Sequence, residues 1–140
     1  MKPMRLLITI TWLALLLAAN GARAQSPANV TEGELALLPL FCRDTLGMPT
    51  NHFTPGFNHW MARVGEGFKS MHHYCWARIN MRRIYAPGTD RAFRIGRLGG
   101  VVADLFYVIR NSPPDFVMLP EIYSSLAEVE LLRQDRKSVV

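Results

Sequence analysis

The sequence predicts an all-α fold. Three features carry that expectation: apolar residues recur at helical spacing from about residue 31 onward, capping residues stand ahead of several of those stretches, and no segment alternates polar and apolar as a half-buried strand does. The chain has 140 residues, of which 49% are hydrophobic and 19% charged, so it holds one domain at most. That apolar share excludes a disordered chain, and two cysteines exclude a disulfide-rich mini-scaffold.

The first 24 residues read as a secretory leader rather than as part of the fold. Lys2 and Arg5 make a positive start, Leu6 to Ala19 is an apolar run of 14 residues, and Ala22-Arg23-Ala24 supplies a small-x-small cleavage pattern. A bilayer span takes roughly 20 apolar residues, so cleavage after Ala24 is expected, with an uncleaved anchor as the alternative. The expected layout is a signal peptide over 1–24, a polar linker over 25–30 and a helical domain over 31–140, periplasmic or secreted, with no stable membrane insertion after cleavage. Without Lys2, Arg5 and Arg23 the formal charge falls from +5 to 13 basic against 11 acidic residues. The case for a nucleic-acid partner therefore disappears. Export also favours pairing of Cys42 with Cys75, the two cysteines present; buried free thiols and metal ligation are the alternatives.

Thr31 and Glu34 form a capping-box pattern ahead of Leu35, Leu38, Phe41 and Cys42, and Pro39 predicts that this helix is short or bent. Gly47 to Gly56, with two prolines, reads as loop. From Phe57 one stripe is Phe57, Trp60, Met61 and Val64, and a second is Phe68, Met71, Cys75 and Ile79. Gly65 and Gly67 lie between them, which predicts two helices or one broken helix. Ala86-Pro87-Gly88 is a turn, and Thr89 or Asp90 can cap the next helix. Its apolar face is Phe93, Leu98, Val101, Val102, Leu105, Val108 and Ile109, ended by Pro113-Pro114. A last helix over about 119–133 turns Ile122, Tyr123, Leu126, Val129 and Leu132 inward.

The carboxy-terminal half resembles the tetratricopeptide repeat, a helix-turn-helix unit of 34 residues that stacks into a solenoid. Val101 to Val108, reaching Pro113, looks like the second helix of such a repeat. Pro120 to Glu128 looks like the next first helix, with Tyr123, Leu126 and Ala127 at its aromatic, leucine and small-residue positions. His73, Trp76 and Ala77 stand at the same three places upstream. Together with Leu38-Pro39-x-x-Cys42, His72-His73-Tyr74-Cys75-Trp76, Pro113-Pro114-Asp115-Phe116 and Leu119-Pro120-Glu121, the pattern is similar to exported tetratricopeptide-type proteins of proteobacteria over about 100 residues. Two departures are visible. An insertion falls around Ala86 to Asp90, and Arg133-Gln134-Asp135 replaces the usual glycine turn, leaving the last repeat incomplete. The resemblance implies antiparallel helical hairpins and a protein or peptide partner on the face of the first helices, where Glu121, Ser124 and Glu128 stand. The incomplete repeat leaves an apolar face for truncation relative to relatives, or self-association through the last helix, to explain.

Chemistry is sparsely signalled. His52, His59, His72 and His73, near Cys75, make a small exported metal- or ligand-binding protein the alternative function. However, adjacent His72 and His73 diverge on a helix, and no His-Glu-x-x-His is present. Packing or hydrogen-bonding histidines, no metal and no cofactor are expected. Arg78, Arg82, Arg83, Arg91, Arg94 and Arg97 crowd one segment. Arg91, Arg94 and Arg97 follow at i, i+3, i+6 and suit an anionic polymer or acidic partner, or a solvated face opposite the apolar one. No Gly-x-Ser-x-Gly elbow or phosphate loop occurs, and no acid-base pair stands out, so no enzymatic activity is expected.

Overall fold

A computed structural model describes residues 29–46 and 54–135. The proposed leader, most of the linker and His52 lie outside the described residues. Those described are all-helical and contain no strand. Six α-helices follow in order: α1 (Glu32–Ala36), α2 (Phe41–Leu46), α3 (Pro55–Val64), α4 (Met71–Tyr85), α5 (Arg91–Arg110) and α6 (Leu119–Asp135), with a 3-10 turn at Glu66–Ser70 leading into α4.

The local signals explain most boundaries. The Thr31 hydroxyl accepts from Glu34 N–H at 3.2 Å, and Thr31 N–H donates to the Glu34 carboxylate at 2.9 Å, which completes the capping box of α1. Pro39 cannot continue that helix, but its carbonyl accepts from Cys42 N–H at 2.9 Å and so opens α2. The loop expected over 47–56 is shorter at its end, because Pro55 and Gly56 already belong to α3. Thr54 caps them by accepting from Phe57 N–H at 3.2 Å, and proline at the first helical position lacks only a donor that had no partner there. Gly65, at φ +91°, closes α3 in a backbone region that side chains resist. Asp90, not Thr89, caps α5, accepting from Phe93 N–H at 2.8 Å.

α4 is the central element. Nine of its 15 residues are buried: Met71, His73, Tyr74, Cys75, Ala77, Ile79, Asn80, Met81 and Ile84. The Cys42–Cys75 disulfide ties α2 to it, with Cα atoms 5.6 Å apart. Phe41, Phe57, Trp60 and Phe68 form an aromatic cluster at the base of α3, with ring centroids 5.1 to 6.4 Å apart, chiefly edge-on or tilted. On the opposite side α4 packs against α5 through Leu98, Val101, Leu105 and Val108, and α6 closes the core with Ile122 and Val129.

Two positions of the expected apolar faces are corrected. Phe93 is exposed, because the first turns of α5 extend beyond the core, which begins at Leu98. Tyr123 is also exposed, since the buried line of α6 is Ile122, Ser125 and Val129 with Leu126 and Leu132 half-buried beside it. Ala127, at the small-residue position of the repeat pattern, is exposed as well.

Candidate functional site

The seam between α4 and α5 is apolar in composition but carries polar pairs along its length. Ser70 and Ser112 hydroxyls approach to 3.4 Å at one end, and Arg97 donates to the Asn80 side chain at 3.4 Å towards the other. Between them lies the main feature, His73 Nδ1 at 2.7 Å from Asp104 Oδ1. Both side chains are buried. Asp104 falls on the same face of α5 as Val101, Leu105 and Val108, so the fold places a carboxylate inside its own apolar stripe. Burial of that group costs free energy unless it is hydrogen-bonded, and His73 supplies a partner across the seam.

Aromatic rings enclose the imidazole. Tyr107 lies over His73 with centroids 3.8 Å apart, Trp76 meets it nearly edge-on at 4.5 Å, and the His72 ring is 4.4 Å away. His72 donates its Nδ1–H to the Lys69 carbonyl at 3.1 Å, which fixes the tautomer of the neutral ring. Burial holds the His72 pKa below the ordinary histidine value, and the neighbouring His73 pushes it the same way. His72 is therefore neutral near pH 7.

A second seam joins α4 to α6. The Tyr74 hydroxyl donates to Glu121 at 2.8 Å, and Arg78 stands 3.7 Å from Glu128. Burial raises the Tyr74 pKa to about 12, and the hydrogen bond to Glu121 adds to it. Ser125 is hydrogen-bonded to the same phenol. Of the three residues expected to line a partner face, Glu121 and Glu128 thus have bonds to α4, while Ser124 is exposed.

Of the three arginines spaced at i, i+3 and i+6, Arg91 and Arg94 are exposed and Arg97 is half-buried. Arg94 donates twice to the Thr89 carbonyl, at 2.6 and 3.0 Å, and Arg97 lies over the Phe93 ring at 5.0 Å. Both continue the side of α5 that carries Leu98 and Val101, just past the end of the core. Arg91 is exposed and makes no bond among the described residues. Arg83 binds Glu34 through two contacts, at 2.6 and 2.9 Å, which lowers the Glu34 pKa to about 2.

Among the described residues His59 does not gather with His72 and His73 into a ligand cluster. His59 is exposed and contacts the edge of Trp60, and among the described residues no group of three or more potential ligands could hold a metal ion. A His–carboxylate pair is also the base half of a nucleophile relay. Here no hydroxyl or thiol among the described residues is hydrogen-bonded to the imidazole, and both cysteines are in the disulfide. The geometry suits a buried tie between helices.

Sequence reasoning missed Asp104 and Ser125. Asp104 had a legible signal, an acid three residues after Val101 and four before Val108 on a stripe otherwise apolar. Ser125 had none, because a serine is common on either face of a helix. Comparison with known protein families, with curated proteins and with solved structures found no match to this chain.

Proposed function

We propose that this chain is an exported helical scaffold of tetratricopeptide type that binds a protein partner through the outer side of α6. The observation that carries the proposal is the stripe Tyr123, Ala127 and Leu131. These residues recur every four positions on one side of α6, and Tyr123 is 51% and Leu131 63% exposed. Large apolar side chains clustered on one helix face are the usual raw material of an interface. In the repeat pattern Tyr123 and Ala127 are the positions that a following helix covers, so a partner element in that place would complete the layer. Two consecutive antiparallel pairs, α4 with α5 and α5 with α6, support the repeat-type reading. The disulfide supports export, since such bonds persist in oxidising compartments.

A photo-crosslinking side chain introduced at Tyr123 in the full chain, in cells that normally make it, is expected to trap one discrete protein adduct. Leu131→Glu should abolish that adduct while leaving the helical circular dichroism intact. Absence of an adduct, or one indifferent to Leu131→Glu, refutes the proposed surface. Fractionation of the chain with cytoplasmic markers refutes export.

A further inference from the structure

The tip of the α4–α5 hairpin carries a surface that neither the core nor the α6 stripe explains. Every residue from 85 to 96 except Thr89 is exposed. Apolar side chains are presented there, with Tyr85 54%, Phe93 37% and Ile95 52% exposed. Around them stand the guanidiniums of Arg82, Arg91, Arg94 and Arg97, none of which forms an ion pair with a carboxylate among the described residues. From Arg78 to Arg97 the sequence holds six arginines and a single acid, Asp90, whose carboxylate accepts from Phe93 N–H. Three of these cations are held in place by neutral groups. Arg94 is fastened to the Thr89 carbonyl, Arg97 to the Phe93 ring, and Arg82 donates to the Leu37 carbonyl at 2.7 Å.

We infer that this tip docks on an anionic phospholipid surface, with Phe93 and Ile95 entering the headgroup region and the arginines meeting lipid phosphates. Guanidinium groups bind phosphate oxygens in a fork, and their aliphatic stems lie along apolar surface while the charge stays in the polar layer. An aromatic and a branched aliphatic side chain amid basic residues is the composition of interfacial helices. Among the described residues no helix is long and apolar enough to cross a membrane, so the contact is peripheral.

The test uses the full oxidised chain in flotation with two kinds of vesicle, phosphatidylglycerol mixed with phosphatidylcholine, and phosphatidylcholine alone. Any binding by the apolar leader is common to all variants and is read from the second kind. Arg91→Glu is the decisive variant. Arg91 makes no bond among the described residues, and a carboxylate suits the first turn of a helix, so folding is not at stake. Each basic group near an anionic leaflet contributes roughly fivefold in affinity, so this reversal of two charge units should weaken binding to the mixed vesicles about 30-fold. Arg110→Glu, at the other end of α5, should change it little. Ile95→Ser should reduce the binding that survives high salt, which screens the charges and leaves the apolar part. Equal binding to the two vesicle types overturns the inference, as do equal losses in Arg91→Glu and Arg110→Glu. Failure to bind the mixed vesicles does so too, and binding to an acidic protein in that case would mean a protein target.

Discussion

Asp104 and His73 illustrate how much a single pair can hold in a small helical domain. Each is buried at the α4–α5 seam, and removal of either partner leaves the other without its 2.7 Å contact. Leaving a buried hydrogen-bonding group without its partner costs about 1 to 3 kcal/mol, so Asp104→Ala should lower the unfolding free energy by about 2 kcal/mol in urea titration. A loss below about 0.5 kcal/mol, the range of inert surface changes, would show that the seam does not depend on the pair. His72, two atoms of backbone away, acts through pH instead. Its folded pKa is depressed while the unfolded chain binds a proton at the ordinary value of 6.5, so the unfolded state takes up more protons on acidification. Stability should therefore fall as pH drops through that window. The decline should be shallower in His72→Phe, as measured by denaturation midpoints at successive pH values.

At the scale of elements, close approach of backbone to ring sets the entry to α4. A Cβ at Gly67 would come within 2.5 Å of the Phe116 ring, which folds down from the turn between α5 and α6. That ring is buried and has little room to retreat. Gly67→Ala should cost about 1 to 3 kcal/mol by overpacking, and Phe116→Leu in the same chain should recover part of it, which a double-mutant cycle in urea can read. The turns themselves follow chain-local rules. Thr31 and Asp90 each cap the helix they precede, and Gly65 ends α3, so these limits were legible in the sequence, whereas the start of α3 at Pro55 under the Thr54 cap fell inside the expected loop. Tyr123 was not, because helical spacing states which residues share a face but not how wide a strip the neighbouring helix covers. A shift of one residue, from Tyr123 to Ile122, rotates the side chain by about 100°.

For the molecule as a whole, the Cys42–Cys75 bond joins the short amino-terminal helices to the α4–α5 pair across 33 residues. In the chain-entropy account a closed loop of that size contributes about 3.5 kcal/mol, a large part of what a domain this small retains. Reduction, or the Cys42→Ala, Cys75→Ala double variant, should lower the urea midpoint accordingly. The loss should centre on α1 to α3 in hydrogen exchange, since α2 packs on α4 and α3 packs on α2 and the 3-10 turn, away from α6. Equal weakening of α6 would mean that the chain unfolds as one cooperative unit.

The all-helical class, the order of the helices, most of their ends and the cysteine pair were determined by the sequence alone, because caps, prolines and helical periodicity act between residues close in the chain. What only the tertiary structure decided was which groups meet across elements: His73 with Asp104, Tyr74 with Glu121, Arg94 folded back on the Thr89 carbonyl. Those meetings depend on the rotation and offset of one packed helix against another. Both are set by the shapes of many side chains at once and leave no periodic trace in the chain.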